Sequence, residues 1–111
     1  MLPLAMIEVL LYEQESGQSP FSAWFDELDH QAAAKVIIAV ERLRNGNFSN
    51  VKGVGAGVQE FRINWGPGYR LYLGRDGEKL VILLTGGTKQ RQEDDIERAK
   101  SYWADYKRRR V

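Results

Sequence analysis

The chain has no cysteine among its 111 residues, which excludes a disulfide framework, a thiolate metal site and a cysteine nucleophile. It has one histidine, His30, and so no histidine pair to act as acid and base. No apolar run approaches the roughly 20 residues of a membrane span, and Met1 to Leu11 lacks the basic flank and cleavage signal of a secretory peptide. The expectation is a cytoplasmic protein with no membrane partner. Lysine and arginine are missing from residues 1–34, which hold six acidic side chains; all sixteen basic residues fall in 35–111, against nine acidic ones. The net charge of +1 hides this split. A basic half can face a polyanion while the acidic start faces elsewhere.

What is present centres on Gly57 to Lys89, which reads as three strands joined by two glycine turns. Side chains alternate between the faces of a strand. In Val58 to Trp65 one parity carries Phe61, Ile63 and Trp65 and the other Glu60, Arg62 and Asn64. In Tyr69 to Arg75 one parity carries Tyr69, Leu71 and Leu73 and the other Arg70 and Tyr72. One face is therefore apolar and the other collects arginines and a tyrosine. Gly66-Pro67-Gly68 and Asp76-Gly77 supply the reversals. Leu80 to Leu84 has no alternation, the mark of a strand covered on both faces and set inside the sheet.

Before this stretch, Met6 to Glu13 is a strand, and Ser19-Pro20 opens a helix with Phe21, Trp24, Phe25 and Leu28 on one stripe. Asp29 caps a second helix whose stripe is Ala33, Val36, Ile37, Val40 and Leu43, ending at Gly46. Asn47 to Gly57 reads as a loop. Its G-x-G-x-G run has neither the lysine and Ser/Thr of a phosphate loop nor a following helix. Gly86-Gly87 breaks the chain, and Thr88 caps a last helix with Ile96, Ala99, Trp103 and Tyr106 on its apolar face. Glu93 to Asp95 and Lys107 to Arg110 match its dipole. The fold class is α+β in the order β-α-α-β-β-β-α, one domain over 1–111: an antiparallel meander, the first strand at an edge, a helical hairpin on one sheet face and a C-terminal helix, with helices assigned to one face.

Taken together, GVQEFRI, GPGYRLYL and LLTGGTKQRQEDDIERA resemble the RelE/ParE superfamily of toxins, and within it the HigB-like, phage-Gp49-like addiction module killer branch. The resemblance runs from Phe21 to Ala99 at least. It implies a RelE-like fold and a type II toxin–antitoxin toxin, an endoribonuclease (mRNA interferase) that stops translation by cutting mRNA in the ribosomal A site. The implied partners are a helix-turn-helix antitoxin, the ribosome and mRNA. A ParE-like toxin that occupies gyrase without cleavage, and an RNA-binding or interaction domain without toxicity, are the alternatives.

RNA cleavage without a metal needs a base for the 2′-OH, cations around the phosphate and an acid for the leaving 5′ oxygen. No metal or other cofactor is expected. Arg62 and Arg70 point the same way from neighbouring strands and can fork onto one phosphate; Arg70 also matches the arginine that the resemblance puts at the phosphate. With Lys89 they form the candidate catalytic set. Tyr72, which can stack on a base or cover the sheet, Arg91 and Lys52 are the candidate RNA contacts. His30 is a solvated helix residue. At the position nearest to a RelE tyrosine that takes part in proton transfer this chain carries Ile96. Acid and base then fall to Lys89, Arg91 or Glu60, or the chemistry differs from that of RelE.

Overall fold

A computed structural model of the chain describes residues 6–110. The elements are β1 (Glu8–Leu11), α1 (Pro20–Asp26), α2 (His30–Arg44), β2 (Val51–Gly55), β3 (Val58–Ile63), β4 (Tyr69–Arg75), β5 (Leu80–Thr88), a 3-10 turn (Lys89–Arg91) and α3 (Gln92–Arg109). They build a five-stranded sheet in the order β1-β5-β4-β3-β2. β1 is an edge strand parallel to β5, and the remaining pairs are antiparallel. The α+β class, the meander and the edge position of the first strand match the sequence expectation.

Local chemistry sets the helices. The Ser19 hydroxyl accepts the amide of Ser22 at 3.1 Å with Pro20 at the first helical position, and Asp29 accepts the amide of Ala32 at 2.8 Å. Each satisfies an amide that a helix start leaves unpaired. In β5, Val81 and Leu83 join the core under α1 and α2, while Ile82 and Leu84 join the core under α3. The strand is thus buried on both faces, as its unbroken apolar run predicts.

Four features depart from the sequence expectation. Val51–Gly55, placed in a loop, is a strand paired with β3 and carries an irregularity between Gly53 and Gly55. Its glycines leave little side-chain pattern to read, and the strand exists because β3 offers it an edge. β5 runs on through Gly86 and Gly87 to Thr88; Thr88 makes no side-chain capping bond, and α3 starts only after the 3-10 turn. A Cβ on Gly86 would lie 2.3 Å from the Trp24 ring, so this glycine admits α1 against the strand rather than ending it. In α2 the buried line is Ala32, Val36, Ala39 and Leu43, and Ile37 is 53% exposed. The small alanine face allows a close approach to the sheet that an isoleucine would block.

The fourth departure has the largest consequence for the site. α1 and α2 cover the face of Phe61, Leu71 and Leu73, but α3 lies on the opposite face, with Ala99 and Trp103 packed against Val58 and Tyr72. Gly74 makes this possible, since a Cβ there would sit 2.4 Å from the Trp103 ring. Tyr12 Oη donates to Asp105 at 2.6 Å and Tyr106 Oη to Asp76 at 2.8 Å, fastening the second half of α3 at two points. The face that carries the arginines is therefore roofed.

Candidate active site

Under that roof the two arginines stand directly opposite each other, Arg62 on β3 and Arg70 on β4. Like charges in this position repel, and Glu60, two residues back on the same face of β3, answers both. Its Oε1 accepts from Arg62 Nε at 3.1 Å and its Oε2 lies 3.7 Å from Arg70 Nε. Tyr72 Oη at 3.1 Å and Gln92 Nε2 at 2.8 Å also donate to Oε2. Glu60 is wholly enclosed. Burial by itself would raise its pKa, but the bonds from Gln92, Arg62 and Tyr72 and the charge of Arg70 outweigh it and hold the carboxyl below its ordinary value. Glu60 is thus held as a carboxylate at neutral pH, enclosed between the sheet and α3.

Arg70 is 6% exposed, and its Nε and Nη1 have no hydrogen-bond acceptor among the described residues. These donors are not spent on the protein's own acceptors, and Glu60 balances the charge of Arg70 across 3.7 Å. Arg62 keeps 43% of its side chain exposed while holding Glu60. The pair thus combines one guanidinium open to solvent with one held ready behind it. Next to Arg70 on β5 is Gly87, where a Cβ would fall 1.9 Å from Asp95 Oδ2. The missing side chain lets the buried Asp95, which pairs with Arg98, reach the sheet beside Arg70.

The other predicted residues divide. Lys89 is exposed at the end of β5 and lies against Gly68 in the β3–β4 turn, near the strand ends that carry the arginines. Arg91 turns into a separate cleft between α1 and α3, lined also by Trp24, Thr88, Asp95 and Arg98. Lys52 is exposed on β2 opposite Glu60. Tyr72 is fully buried and its hydroxyl is committed to Glu60, so it has no free face on which a base could stack. Burial first, and then the Glu60 charge and hydrogen bond, raise its pKa and keep it neutral. His30 is the exposed first residue of α2. Among the described residues no group of three or more histidine, aspartate or glutamate side chains is arranged to hold a metal ion, and no helix is long and apolar enough to cross a membrane.

The model of the phage-derived protein Gp49-like family matches residues 23–105. The chain belongs to this family. Gp49-like proteins are associated with the toxins of toxin–antitoxin systems. An uncharacterized protein of Haemophilus influenzae is 44% identical over 81 residues, which is 72% of this chain and 82% of that protein. In this Gp49-like chain the matched segment contains the whole cluster from Glu60 to Asp95 and omits β1.

Sequence reasoning missed two members of the cluster, Gln92 and Asp95. Glu60 shares Arg62's strand parity, so its pairing with Arg62 was readable; its grip on Arg70, Tyr72 and Gln92 was not. Gln92 and Asp95 reach the sheet only because α3 crosses this face. No local pattern encodes that choice of face.

Proposed function

We propose that this chain is a HigB-like toxin of a type II toxin–antitoxin system and that it inhibits translation by cutting mRNA on the ribosome without a metal ion. The observation that carries this reading is the Arg62–Arg70 pair, with idle donors on the buried Arg70. In the cleavage step the 2′ oxygen attacks phosphorus and the bond to the 5′ oxygen breaks, giving a 2′,3′-cyclic phosphate and a free 5′ hydroxyl. Negative charge grows on the non-bridging oxygens as this happens. In this reading the Arg62 and Arg70 guanidiniums meet that charge and stabilise the transition state more than the ground state, the condition for rate acceleration. Glu60 holds both in place beforehand, so less orientation entropy is lost at the moment of reaction. The 2′-hydroxyl proton passes to solvent water as the 2′ oxygen attacks, Lys89 supplies the proton for the departing 5′ oxygen, and Arg91 and Lys52 contact the RNA backbone.

The partners in this reading are a helix-turn-helix antitoxin, the ribosome and mRNA, and the compartment is the cytoplasm. The test is a translation extract dosed with the purified chain, with mRNA 5′ ends mapped in the presence and absence of ribosomes. New ends within A-site codons, found only with ribosomes, are the expected result. Intact mRNA at a dose that arrests growth would remove the reading, and loss of gyrase supercoiling under the same conditions would assign the chain to ParE-like inhibition instead.

A further inference from the structure

α2 places Lys35, Ile38, Ala39 and Arg42 at i, i+3, i+4 and i+7, a single stripe that faces the end of β3. Across from it stand Asn50, Asn64 and Trp65, which enclose with it a cleft of about 290 Å³. Three cations, Lys35, Arg42 and Arg62, line this cleft, and no carboxylate among the described residues does. The cleft between α1 and α3 is different, because Glu27 and Asp95 there offset Arg91 and Arg98. Neither Lys35 nor Arg42 forms a salt bridge among the described residues, and Lys35 Nζ rests 5.7 Å from the centre of the Trp65 ring. Trp65 is backed by Tyr69, with ring centroids 6.1 Å apart and planes inclined by 22°. Ile38, 51% exposed, adds an apolar wall that the core does not use.

We propose that this cleft binds single-stranded RNA, taking one unstacked base against Trp65 and the adjoining phosphates on Lys35 and Arg42. Carboxylate-free cations give the attraction to a polyanion. An indole supplies a stacking platform, and the Asn50 and Asn64 amides each carry a donor and an acceptor for a base edge. An acidic peptide would use the cations but has no need of the other three side chains. The volume falls just under the range of ligand pockets, roughly 300–1,000 Å³, and suits one nucleotide rather than a duplex. Arg62 belongs both to this cleft and to the arginine pair, so a strand seated here leads to the proposed scissile phosphate. The inference rests on the RNA-cleaving reading and gives it a second contact with the strand on the far side of Arg62.

The test uses the full chain and a fluorescent single-stranded RNA 12-mer methylated at every 2′ oxygen, which binds but cannot be cut, with anisotropy followed from 50 to 200 mM salt. The Lys35→Ala/Arg42→Ala double variant should bind about tenfold more weakly at low salt, with the slope of log affinity on log salt reduced by about 1.4, the value for two lost phosphate contacts on a single strand. Trp65→Leu should weaken binding by about tenfold with the slope unchanged. Lys35→Arg, which keeps the charge, should bind as the parent does, and the exposed positions of Lys35 and Arg42 keep these variants folded. Affinities unchanged in the double variant and in Trp65→Leu would overturn the proposal, as would no binding by the parent chain. Equal competition by polyglutamate would assign the cleft to an acidic protein segment instead, and a duplex 12-mer bound as tightly as the single strand would exclude the one-base pocket. If the variants bind normally while the extract shows A-site cleavage, this inference fails alone. If the cleft binds as described and the extract shows intact mRNA, the cleavage reading fails alone.

Discussion

Gln92 Nε2 donates to Glu60 Oε2 at 2.8 Å, and this bond ties the first residue of α3 to the carboxylate that holds both arginines of the sheet. The roof and the cationic pair are therefore one unit. Any change to Glu60 acts on the position of α3 and on the charge balance beneath it together.

Glu60→Gln keeps the shape but removes the anion between Arg62 and Arg70. Breaking a buried pair at one partner costs roughly 3–5 kcal/mol, and a loss of about 3 kcal/mol is expected in urea unfolding at pH 7. The pH dependence has a definite sign. The native pKa of Glu60 lies below the ordinary 4.5, so its contribution is fully present above 4.5 and is lost as pH falls through the depressed native value. The gap between parent and Glu60→Gln should narrow with acidification below pH 4.5. A constant gap from pH 7 to pH 3 would contradict the assignment.

Arg70→Lys keeps a charge but loses the fork that serves two phosphate oxygens. Cleavage in the translation extract should fall by about 10²-fold, the effect of removing one preorganised donor. Arg70→Ala should abolish it and should also lower stability, because Glu60 loses a partner. Cleavage by Arg70→Lys at the parental rate would place the phosphate elsewhere.

Gly87→Ala drives a methyl into the space of the Asp95 carboxylate, with the Cβ only 2.7 Å from Asp95 Cγ. Overpacking of this kind costs about 1–3 kcal/mol. Asp95→Ala clears the space, so in a double-mutant cycle the Gly87→Ala penalty should shrink by at least about 0.5 kcal/mol in the Asp95→Ala background. Additive penalties would show that the two positions do not meet.

The rotation of α2 is open to the same kind of measurement. Leu43 is fully buried and Ile37 is half exposed. Leu43→Ala should cost about 2–5 kcal/mol, while Ile37→Ala should stay within about 0.5 kcal/mol. Equal losses at both positions would restore the stripe that periodicity favours.

The elements that were legible in the chain carry their own signal. Ser19-Pro20 and Asp29 mark helix starts through bonds to amides three residues on, and Leu80 to Leu84 marks an interior strand through the absence of any polar position. Alternation in β3 and β4 put Arg62 and Arg70 on one face, and the sheet keeps them there. Val51–Gly55 was not legible, because a glycine-rich edge strand owes its form to its neighbour. The stripe of α2 was readable as a helix but not as a rotation, since two adjacent faces are both apolar and only the fit of Ala32 and Ala39 against the sheet selects one.

By itself, then, the sequence determined which segments become strands and helices wherever the pattern is local, and which strand face would carry the arginines. Only the tertiary structure decided what that face became. Val58, Tyr72 and Ile82 made it apolar enough to bury, Gly74 and Gly87 left room for Trp103 and Asp95, and α3 closed over it. An expected open basic surface turned into an enclosed cluster in which Glu60 is an anion, Tyr72 is a neutral donor and Arg70 has donors to spare. Burial and neighbouring charge set those states, and both depend on residues far apart in the chain.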